Sequence, residues 1–445
     1  MKKLLALLFL FLFSVSSLAQ SPTVQPATAS NPDTDKTDLR KKTFEQVWNT
    51  INEKHYDTTF GGVDWQAVKA KYEPRVTQVK TDSELFSLLQ QMLGELKQSH
   101  FHIIPLESYV ENQTQKKDEN KDAVFGVVGI ELRMIDGKAV ITKVNQDSPA
   151  FNAGLRSGFL LEAVGNEEVP QIITRIKKAF EQRNFSSVES DFILAKLLTN
   201  QLNGLADTTV NLRVSDEKNN PRTVTLKRTP DMREMSPALG YFLPQPMEFE
   251  AKRLTNNIGY IRFNIWVMPQ MEKIRNAIKE MKDTKRIIFD LRDNPGGIGG
   301  MAAGVSGMIA QEEGSLGKMQ MRSGFMSFPV FPQAQSYSGE VVILTDFGSA
   351  STSEIFAAGL QEMKRATVVG ERTHGAALPS FFERLPLPAI FQYAIADYRT
   401  PKGVLVEGQG VKPDIEIKLN RADLLSGRDT QLETAINLII KTKKN

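Results

Sequence analysis

From Lys41 to about Leu96 the apolar residues return at helical spacing: Phe44, Val47, Trp48 and Ile51, then Leu85, Leu88, Leu89, Met92, Leu93 and Leu96. This pattern predicts a small helical unit. It is broken at Gly61-Gly62 and restarted by Asp64, a residue suited to cap the helix that follows. Ser99-His100-Phe101-His102-Ile103-Ile104 then reads as extended chain. After a polar stretch, ENQTQKKDENKD at 111–122, strand patterns begin. Residues 126–132 and 139–144 predict strands joined around Asp136-Gly137, a hairpin signal. Ser148-Pro149-Ala150 opens a short helix ending near Gly154. Strand-like 210–214 and 222–226 complete this β-rich module around a helical insertion at roughly 170–203. From about residue 255 strands and helices alternate. Residues 258–263, 286–291 and 341–344 are near-continuous apolar strands, and helical patterns occupy 269–283, the stretch after Gly299 and the stretch from about Thr352. Fully apolar strands alternating with helices predict a sheet covered on both faces, with chemistry at the carboxyl ends of its strands.

Length extends this picture to several units, because 445 residues exceed what one ordinary core accommodates. The opening MKKLLALLFLFLFSVSSLAQ has a basic start, an apolar stretch and small residues at Ser17 and Ala19, and reads as a bacterial secretory signal cut before Gln20. Its apolar stretch is short for a membrane anchor, and a polar leader follows, so no stable membrane span is expected after cleavage. Loss of Lys2 and Lys3 with that segment lowers the formal +3 charge by two, which speaks against a nucleic-acid surface or a polybasic membrane contact. Cysteine is absent, so disulfides, thiol catalysis and thiolate metal sites are excluded.

Two junctions carry candidate chemistry. Gly348-Ser349-Ala350-Ser351-Thr352-Ser353-Glu354 lies between an apolar strand and a helix. Ser351 and Glu354 fit a capping box, yet a serine at a helix start is also placed as a nucleophile, with the next amide able to bind an oxyanion. Ser349 and Ser353 read as packing or turn residues. Asp293-Asn294-Pro295-Gly296-Gly297 follows the neighbouring strand, and its glycines would let backbone N–H groups approach a reacting carbonyl. The same pair also fits a plain glycine-rich connection, but not a phosphate loop, since the Lys-Ser/Thr of that motif is missing.

The chain resembles the C-terminal (tail-specific) processing and tricorn-type serine peptidases. The resemblance rests on Asp290-Leu291-Arg292-Asp293-Asn294-Pro295-Gly296-Gly297, on 348–354, on Val369-Gly370-Glu371-Arg372-Thr373 and on Glu407-Gly408-Gln409-Gly410-Val411-Lys412-Pro413-Asp414. It implies an α/β protein with a ClpP/crotonase-like catalytic domain, a β-rich PDZ domain and an N-terminal helical domain. The implied boundaries are 1–19 for the signal peptide, 20–39 for a flexible leader, 40–120 for the helical domain, 121–228 for the PDZ domain with its helical insertion, 229–425 for the catalytic domain and 426–445 for a C-terminal helix. It further implies Ser351 as nucleophile, the amides of Thr352 and of Gly296 or Gly297 as oxyanion donors, and no metal or organic cofactor. Val128, Gly129 and Ile130 resemble the carboxylate-binding loop of PDZ modules, which implies a polypeptide substrate offering a free C-terminus.

One departure from the pattern redirects the proton route. Members with a Ser–Lys dyad carry the lysine in a Thr-Phe-Gly-Lys-Gly segment, and here Thr373-His374-Gly375-Ala376-Ala377 puts an alanine in its place. Tricorn-type members instead resemble this chain at Ser99, His100 and Glu407, which implies a tetrad in which Glu407 holds Ser99, Ser99 holds His100, and His100 takes the Ser351 proton. An imidazole is already a competent base near neutrality, whereas a lysine needs strong desolvation. His374 is a second candidate base. His102 would share a strand face with His100, but a zinc pair there lacks an evident third ligand, and His55 reads as a solvated loop residue. The leading expectation is an exported, periplasmic or secreted serine endopeptidase. Ala376 leaves a catalytically inactive crotonase-like binder of peptide or apolar ligands as the alternative, and acyl-CoA chemistry is disfavoured by secretion. Replacing Ala376 by lysine is expected not to raise peptidase activity, because the surroundings are not arranged to depress an amine's pKa; turnover of an unfolded protein substrate checks this.

Overall fold

The computed structural model describes residues 32–106, 124–179 and 186–438. The expected signal segment, the leader up to residue 31, the polar stretch 111–122 and residues 439–445 lie outside the described residues. The rest of the leader departs from expectation: helix α1 spans Pro32–Lys54, so 32–39 are helical rather than loose. Leu39 packs partly against the core of this unit, and a helix already nucleated at Phe44 adds residues cheaply.

The stripe that predicted α1 is buried as Phe44, Val47, Trp48 and Ile51. Asp64 caps α2 (Trp65–Val76), its side chain accepting from the N–H groups of Gln66 and Ala67 at 3.1 and 2.9 Å. Thr81 caps α3 (Asp82–Gly94), whose Leu85, Leu88, Leu89 and Met92 face inward. Strand β1 (His102–Pro105) leaves this unit and pairs antiparallel with a strand nearly 300 residues later, placing Ile103 opposite Phe391.

The β-rich unit follows. Strands β2 (Ile130–Ile135), β3 (Lys138–Val144), β4 (Leu160–Val164), β5 (Thr209–Ser215) and β6 (Pro221–Lys227) form one antiparallel sheet in that order. Asp136 and Gly137 take the positive φ values of the expected hairpin turn, 50° and 73°. Short α4 (Pro149–Asn152) sits between β3 and β4, and the predicted insertion forms α5 (Val169–Ala179) and α6 (Ser187–Leu202). Strand β2 is the sheet's edge, and α6 packs along it.

The main sheet has the order β7 (Phe249–Leu254), β8 (Ile258–Phe263), β9 (Arg286–Asp290), β10 (Glu340–Thr345), β11 (Ala366–Gly370) and β14 (Ile415–Glu416). Only the edge strand β7 is antiparallel. All five residues of β9 are buried, as a strand covered on both faces requires. Helices α7 (Met268–Glu280), α8 (Gly300–Ile309) and α9 (Thr352–Glu362) supply one face. Helix α10 (Thr430–Asn437) covers part of the other through Ala435, Leu432 and Ile436. It is shorter than the helix expected over 426–445, within the described residues.

Strands β12 (Ser380–Arg384) and β13 (Ala389–Ala394) extend from the main unit and receive β1. Leu378, Leu385, Phe391 and Tyr393 join the core of the helical unit, so the two lobes share one apolar cluster. Phe391→Ala, at a fully buried position in that cluster, is expected to cost about 3–5 kcal/mol. Urea denaturation followed by tryptophan fluorescence measures it.

Candidate functional site

Loops 291–297 and 346–351 leave the carboxyl ends of the neighbouring parallel strands β9 and β10. Asn294, fully buried, joins them: its carbonyl accepts the Ala350 N–H and the Ser353 hydroxyl, both at 3.0 Å. Its side chain donates to the Phe263 carbonyl at 2.8 Å and accepts the Gly296 N–H at 3.0 Å. Ser353 also accepts from Trp266 Nε1 at 2.9 Å, and the Ser349 hydroxyl donates to the Leu291 carbonyl at 2.7 Å. Both serines therefore do the packing work expected of them.

Ser351 is the N-cap of α9 and holds φ 53° and ψ −116°, a conformation that costs a non-glycine residue free energy. Glu354 closes the reciprocal arm of the capping box, its Oε2 accepting the Ser351 N–H at 2.9 Å. That N–H is shared with the Ala376 carbonyl at 2.8 Å. Gly296 is required here, because a Cβ would stand 2.6 Å from that of Ser351 and 2.8 Å from the Thr352 nitrogen. The Gly296 N–H is spent on Asn294. Among the described residues no hydrogen bond claims the N–H of Gly297 or of Thr352.

The helical lobe brings Ser99 against Glu407, a residue that also binds the 373–377 segment beside Ser351. Glu407 Oε1 accepts the Ser99 N–H at 2.7 Å, and Oε2 accepts the Ser99 hydroxyl at 2.9 Å and the Ala377 N–H at 3.0 Å. Ser99 Oγ lies 2.7 Å from His100 Nδ1. A hydroxyl has one proton, and a carboxylate can only accept, so Ser99 donates to Glu407 and must accept from Nδ1–H. The His100 tautomer follows, with an unprotonated Nε2. His100 has φ 62°, so it stands before β1 rather than in it, and the strand face expected to be shared with His102 is not formed.

Burial, helped by His102 and His374, pushes the His100 imidazole down to about 3 in this arrangement, below the near-neutral basicity expected of it, because the ring is enclosed away from water. Burial raises Glu407 against the pull of its bonds to Ser99 and Ala377, and raises Glu354 to about 7. No hydrogen bond joins His100 to the Ser351 hydroxyl among the described residues. The two are linked through the chain instead, by Ser351 N–H to Ala376, Ala377 N–H to Glu407, and Glu407 to Ser99 and His100. His374 packs against Phe347 and Phe192, at centroid distances of 4.6 and 6.0 Å. His55 corrects expectation: it is fully buried, with Nε2 2.9 Å from Gln98 and Nδ1 2.8 Å from the Asp57 carbonyl, because two polar partners satisfy its ring.

Val128, Gly129 and Ile130 form the turn into β2. Gly129 has φ 80°, and the Val128 N–H reaches Asn203 Oδ1 at 3.4 Å. Sequence reasoning missed the contacts this unit makes with the loops around Ser351. Arg133, on β2, pairs with Asp346 and, at 2.8 Å, with Asp293; Lys196, on α6, bonds Asp293 at 2.9 Å. Against burial, these cations hold Asp293 down to about 2, whereas burial and the neighbouring Asp293 push Asp346 up. Charges at Glu131 and Arg133, alternating with Ile130 and Leu132, were the one available signal, and they read as an ordinary strand face. Asn294 and Trp266 were missed because their partners are distant in sequence.

A strained serine at a helix start, unclaimed amides beside it and a carboxylate–hydroxyl–imidazole array fit one class, the serine hydrolases. Residues 257–417 match Peptidase family S41, and residues 38–94 match the Tricorn protease C1 domain. The chain carries both domains and is a serine peptidase. It is 23% identical over 407 residues to a carboxyl-terminal-processing protease of Synechocystis sp., covering 90% of this chain and 86% of that one. A carboxyl-terminal-processing protease of Picosynechococcus sp. is 25% identical over 412 residues, covering 91% and 90%. The solved photosystem II D1 C-terminal processing protease superposes with a TM-score of 0.53 at 20% identity, over 85% of this chain and 93% of that one, a likeness of fold.

Arg133→Met would leave Asp293 and Asp346 as neighbouring carboxylates without their shared cation. It is expected to cost about 3 kcal/mol at pH 7, the low end for breaking a buried pair. Without Arg133 the folded protein holds a proton on this pair more tightly than the unfolded chain, so the deficit should shrink as pH falls toward 5. Urea denaturation at the two pH values measures both effects.

Proposed function

We propose that this chain is an exported serine endopeptidase that hydrolyses polypeptides near their C-termini, with Ser351 as nucleophile and His100 as base. The observation that carries this reading is the bonded array Glu407–Ser99–His100, which leaves Nε2 as the acceptor on the lobe that meets the Ser351 loop. On substrate binding His100 closes on Ser351 and takes its proton as Oγ attacks the scissile carbonyl. The imidazolium then formed is stabilised by Glu407 through Ser99, and returns the proton to the leaving amine. The unclaimed amides of Thr352 and Gly297 are the oxyanion donors, Gly296 being the less suitable glycine because Asn294 occupies its N–H. No metal or cofactor enters this route. Positive φ at both Ser351 and His100 supports it, since strain of this kind gathers at working sites.

The β-rich unit acts as a PDZ module on a ClpP/crotonase-like catalytic unit, and the 128–130 turn receives the substrate's terminal carboxylate. An added strand would lie between β2 and α6. Those elements carry Arg133, Phe192 and Lys196, so a tail seated there pulls on Asp293, Asp346 and the Phe347–His374 pair. Export to the periplasm or beyond rests on the N-terminal signal pattern. No helix of the described residues is long and apolar enough to cross a membrane.

Ser351→Ala and His100→Ala are each expected to lower turnover of an unfolded protein by at least about 10⁴-fold with the fold retained. Fragment mapping by mass spectrometry and circular dichroism read the two quantities. A fluorophosphonate probe should label the wild-type chain at Ser351. An unlabelled wild type, or full activity in the His100 variant, would refute the assignment.

A further inference from the structure

We propose that Glu354 is a positioning residue of the peptidase site, its carboxylate clamping the backbone of Ser351 to the 373–377 segment and so fixing the nucleophile relative to the Glu407–Ser99–His100 array. The inference rests on the assignment of Ser351 and His100 given above.

A glutamate in a capping box needs one bond, to the N-cap N–H. Glu354 makes four. Oε1 accepts from Thr373 Oγ1 at 2.5 Å and from the Gly375 N–H at 2.7 Å. Oε2 accepts from the Ser351 N–H at 2.9 Å and the Ala376 N–H at 3.0 Å. Three of the four donors come from a segment about twenty residues downstream, so the carboxylate joins two separate pieces of backbone. It is fully buried, and all four of these partners are neutral. Burying an acid among neutral donors is costly, and a helix cap alone does not require it.

The 373–377 segment turns this clamp into a strut. The Ala376 N–H points at Glu354, the next N–H, of Ala377, points at Glu407, and the Ala376 carbonyl accepts the Ser351 N–H. Consecutive amides thus grip the acid under the nucleophile and the acid behind the base. With alanine at 376 no side-chain charge enters between them, and the relation of Ser351 to His100 is carried by backbone and two carboxylates. Thr373 locks the far end, donating to Glu354 while its oxygen accepts the Val411 N–H at 2.7 Å.

The clamp works only as a carboxylate, since a protonated acid places a hydrogen where four donors converge. Burial raises Glu354 to about 7, so loss of the clamping carboxylate is expected to give turnover an acid limb near pH 7. The other titratable groups around it are His374 on the same segment, Glu407 across it, and Tyr398, whose phenol the Glu354 charge helps push up.

The test compares the full chain with its Glu354→Gln, Thr373→Val and Thr373→Ser variants. It uses turnover of an unfolded protein and the rate of fluorophosphonate labelling, each from pH 5.5 to 8.5. A misplaced nucleophile typically costs on the order of 10²-fold. Thr373→Val should lower kcat and labelling roughly 10- to 100-fold with KM within about twofold, and Thr373→Ser should restore both. Glu354→Gln should lower them further and abolish the acid limb near pH 7. Wild-type labelling in Thr373→Val, an equal loss in Thr373→Ser, or an acid limb retained in a folded Glu354→Gln overturns the inference. Where Glu354→Gln fails to fold, the Thr373 pair decides alone. Failure of the wild-type chain itself to label at Ser351 would instead remove the nucleophile assignment on which the inference stands.

Discussion

A carboxylate from the later half of the chain holds a serine from its first quarter, and the arrangement around Ser351 depends on that grip. Glu407 binds both the N–H and the hydroxyl of Ser99, 308 residues away. Neither bond would survive if the helical lobe were free to drift. It is held by the pairing of β1 with β13 and by an apolar cluster to which both lobes contribute. Sheet pairing fixes the position of His102 onward, the cluster supplies the burial that makes the pairing persist, and a left-handed turn at His100 precedes the strand. The energy for a strained residue at the site thus comes from ordinary packing some distance away.

Charge is distributed unevenly around Ser351. Glu354 and Glu407 sit close to it with neutral donors as hydrogen-bond partners, and burial raises both. Asp293 and Asp346 are paired with Arg133 and, for Asp293, Lys196. Glu354 and Glu407 are held by backbone N–H groups and one hydroxyl each, which orient without adding net charge. Asp293 and Asp346 also bind side chains of another unit, Asp346 in addition to the N–H groups of Asp293 and Gly348, which makes the pair responsive to how that unit sits. In a low-dielectric site the two solutions have different consequences: the first gives a fixed frame and the second a connection that can be changed.

That connection runs through two elements with double duties. Strand β2 is at once the free edge of its sheet and the carrier of Arg133. Helix α6 packs along that edge and carries Phe192 and Lys196. A ligand added at the edge cannot leave those side chains undisturbed. Phe192 touches both Phe347 and His374, and His374 donates its backbone N–H to the Ser349 carbonyl, so the path from the edge strand to the Ser351 loop is short.

Local pattern made much of this legible. Period and capping signals located α2, α3, the β2–β3 hairpin and the apolar strands β8 to β10, because hydrogen bonding within a helix or turn is decided by neighbours in sequence. The same held for the loops bearing Ser351 and Gly297, since strand ends in such a sheet converge whatever the rest of the chain does. Residues whose meaning depends on a distant partner were not legible. His55 looked like a solvated loop residue until Gln98 and the core of the helical unit enclosed it, and Glu354 looked like a cap until Thr373, Gly375 and Ala376 closed on it. Arg133 offered only a charge on the polar face of a strand. By itself the sequence determined which elements form and which short segments can bear chemistry, because those follow from side-chain period and backbone freedom. The tertiary structure alone decided which acid faces which amide, which glycine N–H stays unclaimed and how the lobes share a core, because burial and hydrogen-bond geometry exist only once remote segments have been brought into contact.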